Sequence, residues 1–224
     1  MLTRTLYRLN KGGERASKMH IGKGDGTAQA RQAELARSIR QSLGARSIVM
    51  IGLMGAGKTS VGKRLATALD MPFNDADQEI EKAAGKSINE IFAENGESYF
   101  RDGERRVIAR LLSDGAKVLA TGGGAFMHPE TRANIAASGI SIWLRADIDT
   151  LMARVLRRDN RPLLKASNPR AVMEKLISDR YPFYEQADIS IESREIAHDV
   201  IVCEIVQALQ ACKKLSRSPL SEVS

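Results

Sequence analysis

From residue 47 onward, short apolar runs alternate with longer stretches of helical periodicity. Ser47-Ile-Val-Met-Ile51 reads as a strand, followed by a glycine-rich turn and a helix from Lys58 to Leu69. Pro72-Phe-Asn-Asp75 reads as a second strand. Residues 77–113 read as two or three helices, one of them starting at Gly96. Lys117-Val-Leu-Ala-Thr121 is a third strand running into Gly122-Gly123-Gly124, and Pro129 marks a helix start. Ile140–Leu144 is a fourth strand, Asp147–Arg157 a helix, and 158–168 a polar loop. A helix over 169–180, a fifth strand Asp188–Glu192 and a last helix near 195–213 complete the pattern. Apolar strands alternating with helices predict an α/β fold with a parallel sheet covered on both faces. Ligands of such sheets bind beyond the carboxyl ends of the strands.

Before residue 47 the pattern is weaker. Leu35, Ile39 and Leu43 lie four apart and predict a short helix over 27–43. Residues 1–26 hold scattered Gly, Lys and Arg, a composition that predicts disorder. The expected division is a basic extension at 1–46, one domain at 47–213 and a short tail at 214–224.

At 43% hydrophobic and 27% charged residues the composition is that of an ordinary globular protein, and 224 residues suit one domain with an extension. The apolar runs are strand-sized, which excludes a membrane-spanning helix. No apolar stretch follows the basic residues of the first 40, as a secretory signal requires. The expectation is a cytoplasmic protein without membrane partners. Cys203 and Cys212 exclude a disulfide framework and a four-cysteine zinc site. Residues 1–46 contain ten Lys/Arg and three Asp/Glu, so the whole net charge of +7 sits there and the remainder is neutral. A general nucleic-acid-binding domain carries its surplus on the folded part, so no nucleic-acid partner is expected. The extension reads as a spacer or an overlong reading frame, with a membrane-surface or partner-binding arm as the alternative.

Gly52-Leu-Met-Gly55-Ala56-Gly57-Lys58-Thr59 fits G-x-x-x-x-G-K-[ST] in full, between a strand and a helix. Glycines let backbone N–H groups surround an anion, and the helix N-terminus adds its positive dipole end. Lys58 supplies a charge for the β- and γ-phosphates of a nucleotide. The Thr59 hydroxyl is placed to ligate Mg²⁺, which prefers oxygen ligands.

Asp75-Ala-Asp77 closes the second strand, its two carboxylates on one side of an extended chain. One of them, Asp77 by preference, suits a helix N-cap. In a functional role Asp75 holds Mg²⁺ through water, and Asp77 accepts hydrogen bonds from a substrate hydroxyl and takes its proton. With an ordinary pKa of about 3.9, Asp77 would orient better than it abstracts. Arg101 and Glu104 lie three apart and pair on one helical face, which fixes the guanidinium. Arg101 and Arg180 are natural receptors for a substrate carboxylate. The glycine triplet makes sense where a ligand approaches the main chain closely. The basic loop Arg157-Arg158-Asp-Asn-Arg161-Pro-Leu-Leu164 reads as a lid, with Arg161 over the phosphates. Arg154 and Arg157 are candidate adenine contacts.

Together, Gly52–Ser60, Asp75-Ala-Asp77, Phe100-Arg101, Gly122–Gly124, Arg161-Pro-Leu-Leu164 and Arg180 resemble the bacterial shikimate kinase family, in that family's order, with general similarity over 47–212. The resemblance implies a three-layer P-loop NTPase fold of the nucleoside-monophosphate-kinase type, with five parallel strands in the order 2-3-1-4-5 and a mobile lid. It implies transfer of the γ-phosphoryl of ATP to the 3-hydroxyl of shikimate, on the route to chorismate and the aromatic amino acids, with one Mg²⁺ per subunit. Gly55, Ala56, Gly57, Lys58, Thr59, Ser60 and Arg161 would bind ATP. Asp77, Arg101, Gly123 and Arg180 would bind shikimate. Lys58, Asp77 and Arg161 would be catalytic, and Thr59 and Asp75 would serve the metal. The family is typically monomeric and cytoplasmic. The extension lies outside the resemblance, and Ser60 stands where Thr is common. The alternatives are a related small-molecule kinase, such as a gluconate kinase, and a non-catalytic ATP-binding module with a nucleic-acid-binding arm.

Overall fold

The computed structural model describes residues 26–157 and 167–216. Five strands form one sheet: β1 (Ser47–Ile51), β2 (Phe73–Asp75), β3 (Val118–Ala120), β4 (Gly139–Arg145) and β5 (Ile189–Glu192). Their order is β2-β3-β1-β4-β5, as expected, and every pairing is parallel. β1 lies at the centre, with Ile48 opposite Val118 on one side and Ile140 on the other. All residues of β1 and β3 are buried, because helices cover both faces. β5 is an edge strand and alternates, with Ile189 and Ile191 inside and Ser190 and Glu192 outside.

The helices are α1 (Gly26–Leu43), α2 (Lys58–Leu69), α3 (Ala76–Ala84), α4 (Ile88–Ser113), α5 (Pro129–Ser138), α6 (Ile148–Leu156), α7 (Pro169–Tyr184), α8 (His198–Gln210) and the short α9 (Lys213–Ser216), with a 3-10 turn at Ala125–Met127. Ser87 and Glu90 form a reciprocal capping box that starts α4. Gly96 interrupts α4 with φ 80°, so a second helical segment begins there, as the sequence suggests. α7 continues four residues past the expected end at 180, with Pro182 inside its last turn. The tyrosines of that turn explain the difference. The Tyr181 hydroxyl donates to the Ala146 carbonyl and that of Tyr184 to the Gly123 carbonyl, and both rings pack beside Trp143. These contacts offset the one helical hydrogen bond that proline removes.

α1 corrects the spacer reading. Ala36, Ile39 and Leu43 enter the main core. Arg40 donates to the Leu69 carbonyl at 2.6 Å and pairs with Asp70 at 3.1 Å, which caps the carboxyl end of α2. Arg46 donates to the Lys214 carbonyl at 2.7 Å and so joins the start of β1 to α9. Residues 35–46 therefore pack against the domain, and the expected tail at 214 begins inside α9, where Leu215 is buried. The rest of the extension, residues 1–25, and residues 217–224 lie outside the described residues. Among the described residues no helix is long and apolar enough to cross a membrane.

Candidate active site

The loop between β1 and α2 takes its shape from glycine. Gly52 has φ 140°, and a Cβ there would stand 2.7 Å from the Leu144 carbonyl of the neighbouring strand. Gly57 has φ 94° and precedes the first turn of α2, which contains Lys58, Thr59 and Ser60. Lys58 Nζ donates to the Gly52 and Leu53 carbonyls at 2.8 and 3.0 Å, so the ammonium curls over its own loop. Thr59 Oγ1 donates to Asp75 Oδ2 at 2.7 Å. The hydroxyl and carboxylate expected to serve a metal are thus brought together from α2 and β2.

On the other side, Ser193 follows β5 and is fully enclosed. Its hydroxyl donates to the Ala56 carbonyl at 2.8 Å and accepts from Arg154 Nη1 at 2.8 Å. Arg154 also reaches the Gly55 carbonyl at 3.3 Å. Sequence reasoning named Arg154 only as a candidate adenine contact and missed Ser193. A serine just past a strand's carboxyl end was the only available signal.

Asp75, not Asp77, caps α3. Its backbone is extended and its Oδ1 accepts from the Asp77 N–H at 3.1 Å. The helix begins at Ala76, so strand alternation does not place the two carboxylates together; the cap does. Asp77 keeps its side chain for other work. Burial, then the neighbouring Asp75 charge, pushes its carboxyl up to about 6, against the pull of Lys58. A carboxylate of that pKa is a stronger proton acceptor than the ordinary aspartate assumed from sequence.

The glycine triplet follows β3, and each member is crowded by a charged side chain. A Cβ on Gly122 would stand 2.6 Å from Glu104 Oε1 and 2.9 Å from Asp77 Oδ1. On Gly123 it would meet Arg180 Nη1 at 3.1 Å, and on Gly124 the Arg101 guanidinium at 2.5 Å. A side chain at any of the three would crowd or displace these charged ends. Arg101 Nη1 donates to Glu104 Oε2 at 2.8 Å, as its spacing predicts, and Nε and Nη2 donate to Glu97. Glu104 is 2% exposed and its Oε1 has no partner among the described residues. Burial pushes its carboxyl up, while Arg101 and Arg180 pull it down.

The two arginines line one cavity of about 400 Å³ with Glu104, Gly124, Met127 and Asp179. A more open depression of about 690 Å³ lies beside the C-terminal end of α2, lined by Lys63, Asp70 and Phe73, away from the phosphate loop. Asp77 lies within electrostatic reach of both Lys58 of the glycine loop and the buried Glu104. Arg161, expected over the phosphates, lies outside the described residues together with Arg158 and most of the expected lid. Among the described residues no cluster of three His, Cys, Asp or Glu forms a metal cage.

A phosphate loop at the carboxyl end of this sheet, opening beside a pocket with a carboxylate and two guanidiniums, defines the chain as a P-loop kinase. The shikimate kinase family model matches residues 54–210. The shikimate kinase of Bradyrhizobium diazoefficiens is 52% identical over 195 residues, 86% of this chain and 94% of its own. That match exceeds what residues 47–224 alone supply, so it extends into the segment before β1. The shikimate kinase of Rhodopseudomonas palustris is 54% identical over 82% of this chain and 90% of its own. A solved shikimate kinase from Acinetobacter baumannii in complex with shikimate superposes with TM-score 0.73 at 36% identity, covering 78% of this chain and 98% of that one. The chain belongs to the shikimate kinase family.

Proposed function

We propose that this ATP-dependent kinase transfers the γ-phosphoryl group of ATP to the 3-hydroxyl of shikimate, with the residues described above in defined roles. One observation carries the assignment: Asp77, Arg101 and Arg180 crowd three successive glycines directly beside the phosphate loop. Arg101 and Arg180 bind the substrate carboxylate as charge-assisted forks, and the Gly123 main chain contacts the ring. Asp77 accepts hydrogen bonds from the ring hydroxyls. As the 3-hydroxyl oxygen bonds to the γ-phosphorus, the bond from phosphorus to the β–γ bridging oxygen breaks, and Asp77 takes the hydroxyl proton.

Gly55–Ser60 and the α2 N-terminus hold the ATP phosphates. Lys58 exchanges its loop carbonyls for the β- and γ-oxygens. Thr59 and Asp75 fit Mg²⁺, because both present oxygen and Mg²⁺ needs few protein ligands beside phosphate and water. Bound there, one Mg²⁺ per subunit supplies neutralisation of phosphate charge. Arg161 stabilises the transferred group, a role assigned from its Arg-Pro-Leu-Leu setting alone. The catalytic domain spans 47–216 with the α1 segment packed on it, and the chain works as a monomer in the cytoplasm.

The test is a coupled ADP assay across a panel of hydroxy acids. ADP release is expected with shikimate and little with gluconate. Equal release with gluconate, or release independent of any acceptor, refutes the assignment. Sedimentation of the active enzyme at the monomer mass checks the oligomeric state. Salt-sensitive binding of DNA or RNA, lost when residues 1–46 are deleted, would favour the nucleic-acid module instead.

A further inference from the structure

Arg180 and Tyr184 lie four apart on α7 and share a helical face. Tyr184 is 1% exposed, and its ring is fixed between Phe126, Trp143 and Tyr181. Its hydroxyl donates to the Gly123 carbonyl, 61 residues away in sequence. The Arg180 guanidinium stands against the same glycine, since a Cβ on Gly123 would meet its Nη1 at 3.1 Å. One rigid ring therefore holds the glycine against which the guanidinium of the same helix stands.

The other carbonyls of the triplet are also held. Gly122 O accepts from the Ala125 N–H at 3.2 Å and Gly124 O from the Met127 N–H at 3.0 Å. With all three carbonyls engaged, the triplet's peptide planes are set, and its N–H groups stay oriented for a ligand. The middle bond is the only one of the three supplied by a side chain, and it comes from the helix that carries Arg180.

We propose that Tyr184 is a positioning residue for acid recognition, its hydroxyl locking the Gly123 main chain beside the Arg180 fork of the same helix. This rests on the reading that Gly123 and Arg180 receive shikimate. Tyr181 is the internal control. It belongs to the same aromatic cluster, but its hydroxyl donates to the Ala146 carbonyl instead of the triplet.

The experiment compares Tyr184→Phe, Tyr181→Phe and Arg180→Ala by steady-state kinetics with each substrate varied. Tyr184→Phe is expected to raise KM for shikimate about tenfold, with KM for ATP within about twofold of wild type. Tyr181→Phe is expected to leave both constants within about twofold. A rise in KM for ATP parallel to that for shikimate, or an equal effect from Tyr181→Phe, marks a merely structural role and overturns the proposal. An unchanged shikimate KM in Tyr184→Phe while Arg180→Ala raises it sinks this inference and leaves the substrate assignment standing. If neither variant moves it, both fall. A second measurement uses the unaltered chain. Titration with shikimate alone is expected to shift the Gly123 and Gly124 amide resonances and the Tyr184 ring resonances while sparing those of Tyr181. Tyr184 resonances that stay fixed contradict the proposal whether or not the variant folds.

Discussion

Replacing Asp77 by asparagine removes a charge that the fold holds at a cost. The carboxyl rises from 3.8 to about 6, mainly through burial. At about 1.4 kcal/mol per pH unit, that rise corresponds to roughly 3 kcal/mol of destabilisation once the group is ionised. Because the folded-state value lies above the unfolded one, the native protein binds more protons between about pH 4 and pH 6. Stability contributed by this group is therefore present at low pH and lost as pH rises through about 6. Asp77→Asn is expected to gain about 2 kcal/mol at pH 7.5, after allowance for burial of the amide, and nothing at pH 4. For a domain of this size the gain corresponds to a melting point higher by roughly 4–8 °C. The same change is expected to lower kcat by about a hundredfold or more, through loss of the proton acceptor. Urea unfolding at both pH values, paired with the ADP assay, reads both effects. Equal stability of variant and wild type at pH 7.5, or a gain that persists unchanged at pH 4, would show that burial does not strain this carboxylate. Near-normal turnover would remove it from proton transfer.

Arg101→Ala is expected to raise KM for shikimate at least tenfold and to spare ATP, and it strands the buried Glu104 carboxylate, so a melting-point drop accompanies it. Loss of ATP affinity with shikimate affinity intact would contradict the assignment. Lys58→Ala is expected to depress turnover by about two orders of magnitude or more, measured at saturating ATP. Deleting residues 1–25 is expected to leave activity unaltered. Deleting 1–46 strips Ala36, Ile39 and Leu43 from the core and the Arg40 cap from α2, a loss of about 4–6 kcal/mol visible in chemical denaturation. Thr59→Ala is expected to shift the Mg²⁺ activation curve to higher concentration, and an unmoved curve would relocate the metal.

Periodicity and local chemistry carried much of the architecture. Five apolar runs separated by helical stretches imply a covered parallel sheet, and the glycine-lysine-threonine loop between the first run and its helix implies a phosphate site. These signals are legible because strand alternation, helical spacing and glycine turns act over a few residues. The Arg101–Glu104 pair was readable for the same reason, being one helical turn apart. Where local rules competed, tertiary packing decided. Asp75 rather than Asp77 became the α3 cap. α7 ran through Pro182 because two tyrosine hydroxyls found carbonyls on distant loops.

By itself, then, the sequence determined the order of the elements and the glycine loop between β1 and α2. The tertiary structure alone decided which charges meet. Glu104 and Asp77 face Gly122, Arg180 faces Gly123 and Arg101 faces Gly124, although these residues come from three different helices. It also set the basicity of Asp77, since desolvation depends on what the whole chain packs around a group. And it turned a weakly patterned leading segment into a packed helix, because three apolar side chains gain stability only when α2 and α9 lie beside them.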